Sequence, residues 1–121
     1  MGRYNLSAIN EGLVRFYDSV RVEKLDERVT THQITKCGFL NTKGEIVIPA
    51  KFDFAQYFTE GLSAVRQNDK WGYIDKTGKI VISLKFDYAL PFHHGYAKIQ
   101  IKDNFYIIDR DGKIVLNSKS Y

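Results

Sequence analysis

Cysteine occurs once, at Cys37, so the chain can close no disulfide within itself, a composition that fits a reducing compartment. No apolar run approaches the roughly 20 residues a membrane helix needs. The opening Met1-Gly2-Arg3-Tyr4-Asn5-Leu6 has no apolar signal core, which predicts a cytoplasmic protein. Leucine at position 6, where N-myristoylation wants serine or threonine, removes a lipid signal. Also missing are a glycine-rich phosphate loop, a nucleophile elbow, a zinc-binding helix and paired cysteines. Lacking these parts, the sequence predicts no enzyme, no catalytic residue, no metal site and no cofactor. No long amphipathic helix is legible; Phe52–Tyr57 and Phe86–Leu90 have room for a single helical turn at most. Disorder is excluded by 44% apolar and 14% aromatic content, and 121 residues make one domain, 1–121.

What the chain does have is repetition. Cys37-Gly38-Phe39-Leu40-Asn41, Trp71-Gly72-Tyr73-Ile74-Asp75 and Phe105-Tyr106-Ile107-Ile108-Asp109 are equivalent. Each leads to a turn glycine, and Gly44, Gly78 and Gly112 recur every 34 residues. An aliphatic run follows each: Ile46-Val47-Ile48, Ile80-Val81-Ile82 and Ile114-Val115-Leu116. Such a period marks a repeat architecture, in which no single unit buries its own apolar face. The fold class expected is all-β: a short array of three antiparallel units, approximately 11–59, 60–93 and 94–117. The array is either an open twisted sheet or solenoid, or a closed barrel, with a β-trefoil-like closed barrel as the alternative.

The middle unit reads most clearly. Gly61–Gln67 is strand-like, Asn68-Asp69 suits a two-residue hairpin turn, and Trp71–Asp75 returns as the partner strand. Asp75-Lys76-Thr77-Gly78 has the residues of a type I turn closed by a left-handed glycine, where a β-branched residue would cost about 1 kcal/mol or more. Asn41–Gly44 and Asp109–Gly112 repeat that chemistry. Ile80-Val81-Ile82, apolar on both faces, predicts a strand buried on both sides. Phe52, Phe58, Phe86 and Phe92 are expected as aromatic pegs between neighbouring units, and Trp71, with Cys37 and Phe105 at the same position, as a core side chain.

The first unit carries an insert, 17–35, because Gly12 to Gly38 spans 26 residues where Gly61 to Gly72 spans 11. Pairing Phe16 with Gly38, as Val65 would pair with Gly72, centres a long hairpin on Asp26-Glu27-Arg28, between strand-like flanks Ser19–Leu25 and Val29–Thr35. A hairpin leaving its sheet is only marginally stable alone, so it should lie on the body or on a partner. Its candidate contact residues are Val20, Val22, Val29 and Ile34 as apolar centre and Arg21, Lys24, Arg28 and His32 as polar rim.

Other candidates read as structure. The +4 charge invites nucleic acid, but Lys43, Lys51, Lys76, Lys79, Lys85 and Lys113 recur at turns and edges, where solvated charge discourages strand pairing. Asp53 and Asp87 recur together and suit acceptors for turn amides, and Asp75 and Asp109 are turn formers. His93-His94, with only Asp87 and distant His32 as companions, suits a solvated loop. Cys37, replacing tryptophan, reads as buried and inert.

Lys70-Trp71-Gly72-Tyr73-Ile74-Asp75-Lys76-Thr77-Gly78-Lys79-Ile80-Val81-Ile82 resembles the WG repeat family of bacterial proteins, named for that Trp-Gly pair. The likeness covers residues 36–116 well and 11–16 weakly, and 17–35 has no counterpart in it. Cys37 and Phe105 replace the tryptophan and Tyr106 the glycine. The resemblance implies a generic binding or scaffolding role. The expectation is a non-enzymatic protein-interaction module whose hairpin arm meets a protein partner or a second copy in a homodimer. The alternative is a small-ligand binder for a carbohydrate or cell-wall component, with Trp71, Tyr73, Tyr88 and Tyr96 lining an aromatic groove; nucleic-acid binding ranks third.

Overall fold

The computed structural model describes residues 10–25 and 29–117, with only the backbone described across 19–34. Within them lie β1 (Leu13–Leu25), β2 (Val29–Asn41), β3 (Ile46–Phe52), β4 (Phe54–Ala55), β5 (Ser63–Gln67), β6 (Lys70–Ile74), β7 (Ile80–Phe86), β8 (Tyr88–Ala89), β9 (Ala97–Ile101), β10 (Asn104–Ile108) and β11 (Ile114–Asn117). They form three antiparallel sheets, ordered β1-β2-β3, β4-β5-β6-β7 and β11-β10-β9-β8. No barrel closes, so the protein is an open β-repeat array; the closed-barrel and trefoil-like alternatives are set aside because no pairing joins one sheet to another among the described residues. Where a single helical turn had room, the chain is extended and adds β4 and β8 to the following sheets. The sheets therefore divide at Asp53 and Asp87, ahead of the sequence-based unit limits at 59/60 and 93/94, while the period is the same.

Turn chemistry fixes each hairpin. Asn68 and Asp69 both have positive φ (56° and 69°), the mirror-image turn whose twist matches paired strands, and Gln67 faces Lys70 across it. In Asp75–Gly78 the Gly78 N–H donates to the Asp75 carbonyl at 3.0 Å, and Gly78 takes φ 92°. The Asp75 carboxylate accepts from the Thr77 and Lys79 amides at 2.9 and 3.0 Å, and Asn41 and Asp109 do the same in their turns.

The core lies between the sheets. One cluster joins Cys37, Phe39, Ile48 and Phe52 of the first sheet to Ala55, Val65 and Ile74 of the second and to Phe58 on the connection between β4 and β5. The next joins Trp71, Tyr73 and Ile82 of the second sheet, with Leu62 just before β5, to Ala89, Ile99 and Ile108 of the third, with Phe92 on the connection between β8 and β9. The expected pegs are in place: Phe58 meets Phe39 edge-on at 4.7 Å and, one repeat on, Phe92 meets Tyr73 at 4.8 Å.

Burial on both sides falls to β5 and β6, not to Ile80-Val81-Ile82. Only Ile82 is buried there; Ile80 and Val81 stand half in solvent, as Ile46 and Val47 do in β3. The reason is position: β3, β7 and β11 are the edges of their sheets, so the following unit covers one side chain of each of the first two runs, Ile48 and Ile82, and none of the third. The exposed Lys43, Lys51, Lys79, Lys85 and Lys113 border these edges, as a guard against strand pairing requires.

Candidate interaction surface

Two sets of repeated carboxylates lock the units together. Asp53 pairs through one oxygen with Lys36 and accepts the Asn68 amide of the next hairpin turn with the other, at 3.0 Å. One repeat later Asp87 pairs with Lys70 at 2.7 Å and accepts the Lys102 amide at 2.5 Å. Their expected role as turn-amide acceptors is thus observed. The second set was not singled out from sequence. Glu11 accepts the Gly61 amide at 2.8 Å and lies 3.5 Å from Lys76; Glu60 accepts the Gly95 amide at 2.9 Å and lies 3.7 Å from Arg110. Glu11 and Glu60 sit at positive φ (55° and 52°), an uncommon state for a non-glycine residue, and their carboxylates thereby reach the next unit. The signal was available, since Glu-Gly recurs as Glu11-Gly12 and Glu60-Gly61 with His94-Gly95 third in the series.

Three aspartates, Asp53, Asp75 and Asp87, make the fold acid-sensitive. The Lys36 ammonium, opposed by partial burial and helped by the Asn68 amide, holds Asp53 below the usual aspartate range. Lys70 and the Lys102 amide lower Asp87, and Thr77 leads the groups lowering Asp75. A carboxyl with a depressed folded-state value stabilises the fold fully above its unfolded value of about 3.9 and loses that contribution as pH falls through the folded value. Melting temperature should therefore be flat from neutrality to about pH 5 and fall below pH 4. Asp53→Asn should cost about 1 kcal/mol at pH 7 and shrink that fall, measured by thermal melts across the pH range.

The four aromatics expected in one groove are divided. Trp71 is 5% exposed and Tyr73 fully buried, the latter donating its hydroxyl to the Leu90 carbonyl at 2.6 Å. Tyr88 is exposed but meets the Trp71 ring edge-on at 5.2 Å, while Tyr96 belongs to a different cleft. They line no common groove, because Trp71 and Tyr73 serve the core between units. Cys37 is buried, and desolvation pushes its thiol up to about 11, a poor nucleophile at neutral pH. His93 and His94 are exposed, and no group of His, Cys, Asp and Glu among the described residues is arranged to hold a metal ion.

Two features remain uncovered by the described residues. The arm pairs in the register expected, Phe16 opposite Gly38 and the ladder continuous to Leu25 opposite Val29. β3 joins it only from Cys37 onward, so the rest is a two-stranded ribbon. The turn with Arg28 lies outside the described residues, and of Val20, Arg21, Val22, Lys24, Val29, His32 and Ile34 only backbone positions are described. The second feature is the outer face of the third sheet. Ile48 and Ile82 are 0% and 4% exposed, yet Leu116 at the same repeat position is 59% exposed. Phe105, expected in the core with Trp71, is 40% exposed for the same reason. Beside them Tyr57, Pro91, His93, Tyr96, Lys98 and Ile107 border a cleft of about 380 Å³.

Two successive stretches, 38–71 and 71–105, match the WG containing repeat family. No curated protein and no solved structure matches the chain. The two stretches meet at Trp71, cover more than half of the sequence and contain most of the buried residues at both interfaces between sheets, and the chain belongs to the WG containing repeat family.

Proposed function

We propose that this repeat module is a non-enzymatic protein-interaction scaffold, with the β1–β2 arm as its principal contact for a protein partner or a second copy of itself. The observation that supports it is the ribbon: β1 and β2 pair with each other over all thirteen residues of each strand, while β3 supports only the foot. A two-stranded hairpin is marginal in water by itself, so a partner laid against it supplies the third layer it lacks. The repeat body supplies the rigid base from which such an element is presented. The carboxylates that a catalytic reading would recruit, Asp53, Asp87, Glu11 and Glu60, are engaged in binding backbone amides and cations of the scaffold.

The test is the mass in solution of the full chain against a variant lacking residues 19–34, by light scattering at matched concentrations. A dimer for the full chain and a monomer for the deletion is the expected outcome, with the thermal midpoint of the body nearly unchanged. Equal masses, together with no loss of partner binding on deletion, would leave the arm without a role.

A further inference from the structure

Resting on that interaction reading, and deepening it, we infer that the outer face of the third sheet is a docking site for an acidic peptide segment of a protein partner that inserts an aromatic side chain. The site is built from repeat positions whose equivalents are filled inside the molecule. Phe39 receives Phe58 and Tyr73 receives Phe92; the third member of the series, Ile107, borders the open cleft instead. Leu62, 5% exposed under the third unit, is matched by Tyr96, 52% exposed. Twice, then, the fold shows what such a socket takes: a phenylalanine ring carried on an extended connection, packed edge-on.

Another repeat of the same kind is not what this face fits. A following unit would need the residues that lock one unit to the next. Lys36 and Lys70, which hold the next aspartate, are succeeded by Asn104; Glu11 and Glu60, which hold the next glycine amide, by His94. Gly38 and Gly72, over which the following edge strand kinks, are succeeded by Tyr106. Apolar character is kept while the stacking contacts are exchanged for others, so the face is shaped for a different occupant.

Charge names that occupant. Lys98 stands where Ala64 stands in the second unit, packs its ammonium over the Phe105 ring at 4.7 Å and makes no ion pair among the described residues. His93 lines the same cleft, and among the described residues no carboxylate lines it or the adjoining hollow of Tyr96, Ile107, Val115 and Leu116. A second copy of this face would bring a second Lys98 and no lining carboxylate, whereas in an acidic aromatic peptide the carboxylates answer the cation and the ring packs on the apolar floor. Ring burial would supply affinity and the carboxylates orientation.

The experiment is selection from a random peptide display library on the immobilised 121-residue chain, counter-selected against Lys98→Glu/Leu116→Ser. Both substituted side chains are exposed, so the double variant should keep the parent's thermal midpoint, which circular dichroism checks. Expected are enriched peptides combining an aromatic residue with aspartate or glutamate. A synthetic copy should bind about tenfold more weakly to Lys98→Glu, and should lose binding when its aromatic residue is changed to alanine. It should bind the deletion lacking 19–34 as it binds the full chain. No enrichment over the double variant, or enriched peptides without that composition, would overturn the docking site and leave the arm reading standing. Peptides lost only with the arm deletion would point to the arm and against this face.

Discussion

Gly72→Val should unfold the domain or cost about 4 kcal/mol or more, the scale reserved for substitutions with no room to relax. A Cβ built on Gly72 would lie 2.5 Å from the Ile82 carbonyl oxygen and 2.8 Å from the Leu84 backbone, atoms held by the sheet and unable to swing aside. The cause is the course of β7. Trp71 faces Phe86 and Tyr73 faces Ile82, so the edge strand uses extra residues to kink over the glycine before it passes to the next unit. At Tyr106 the partner strand runs in step, Tyr106 opposite Asn117 and Ile107 opposite Leu116, and a large side chain is accommodated. Tyr106→Gly should accordingly bring no gain: glycine in a strand costs about 1 kcal/mol relative to alanine, and the ring's packing against the core is lost as well. Urea unfolding of both variants measures the contrast. A Gly72→Val protein as stable as the parent would contradict the kinked crossing.

Trp71→Ala and Phe105→Ala should differ severalfold in cost although they occupy the same repeat position. Trp71 is buried, with Phe54 and Tyr88 edge-on at 5.8 and 5.2 Å, and its removal leaves a cavity in the interface between the second and third sheets. Large-to-small changes of that kind cost about 3–5 kcal/mol. Phe105 is 40% exposed on the outer face, and its truncation should cost about 1 kcal/mol or less. Denaturant midpoints compared at equal slope decide the matter; equal losses would mean that the outer face is covered as the inner ones are.

The arm shows how much of the architecture lies open in adjacent residues. Its centre followed from pairing Phe16 with Gly38, and the backbone pairs there, because side-chain alternation lets a hairpin have one register without turning its buried residues outward. The Asp75–Gly78 turn was equally legible, since an aspartate and a left-handed glycine are demands of the turn itself. Asp53 could be assigned to a turn amide from its recurrence, but its partner, Asn68, could not. Glu11 and Glu60 escaped notice because their ligands are amides of the following unit, many residues away in sequence. The aromatic groove failed at Trp71 and Tyr73, whose rings look the same in sequence whether solvent or a neighbouring sheet lies against them.

Period, strand pairing and turn type were therefore determined by the sequence by itself, because each depends on backbone angles and alternation set within a few residues. Which members of the repeat are covered was decided only by the tertiary structure. Ile48, Ile82 and Leu116 are interchangeable as aliphatic positions, and two are buried while the third meets solvent. Burial belongs to the pair of surfaces that meet, and a unit's own residues specify only one of them.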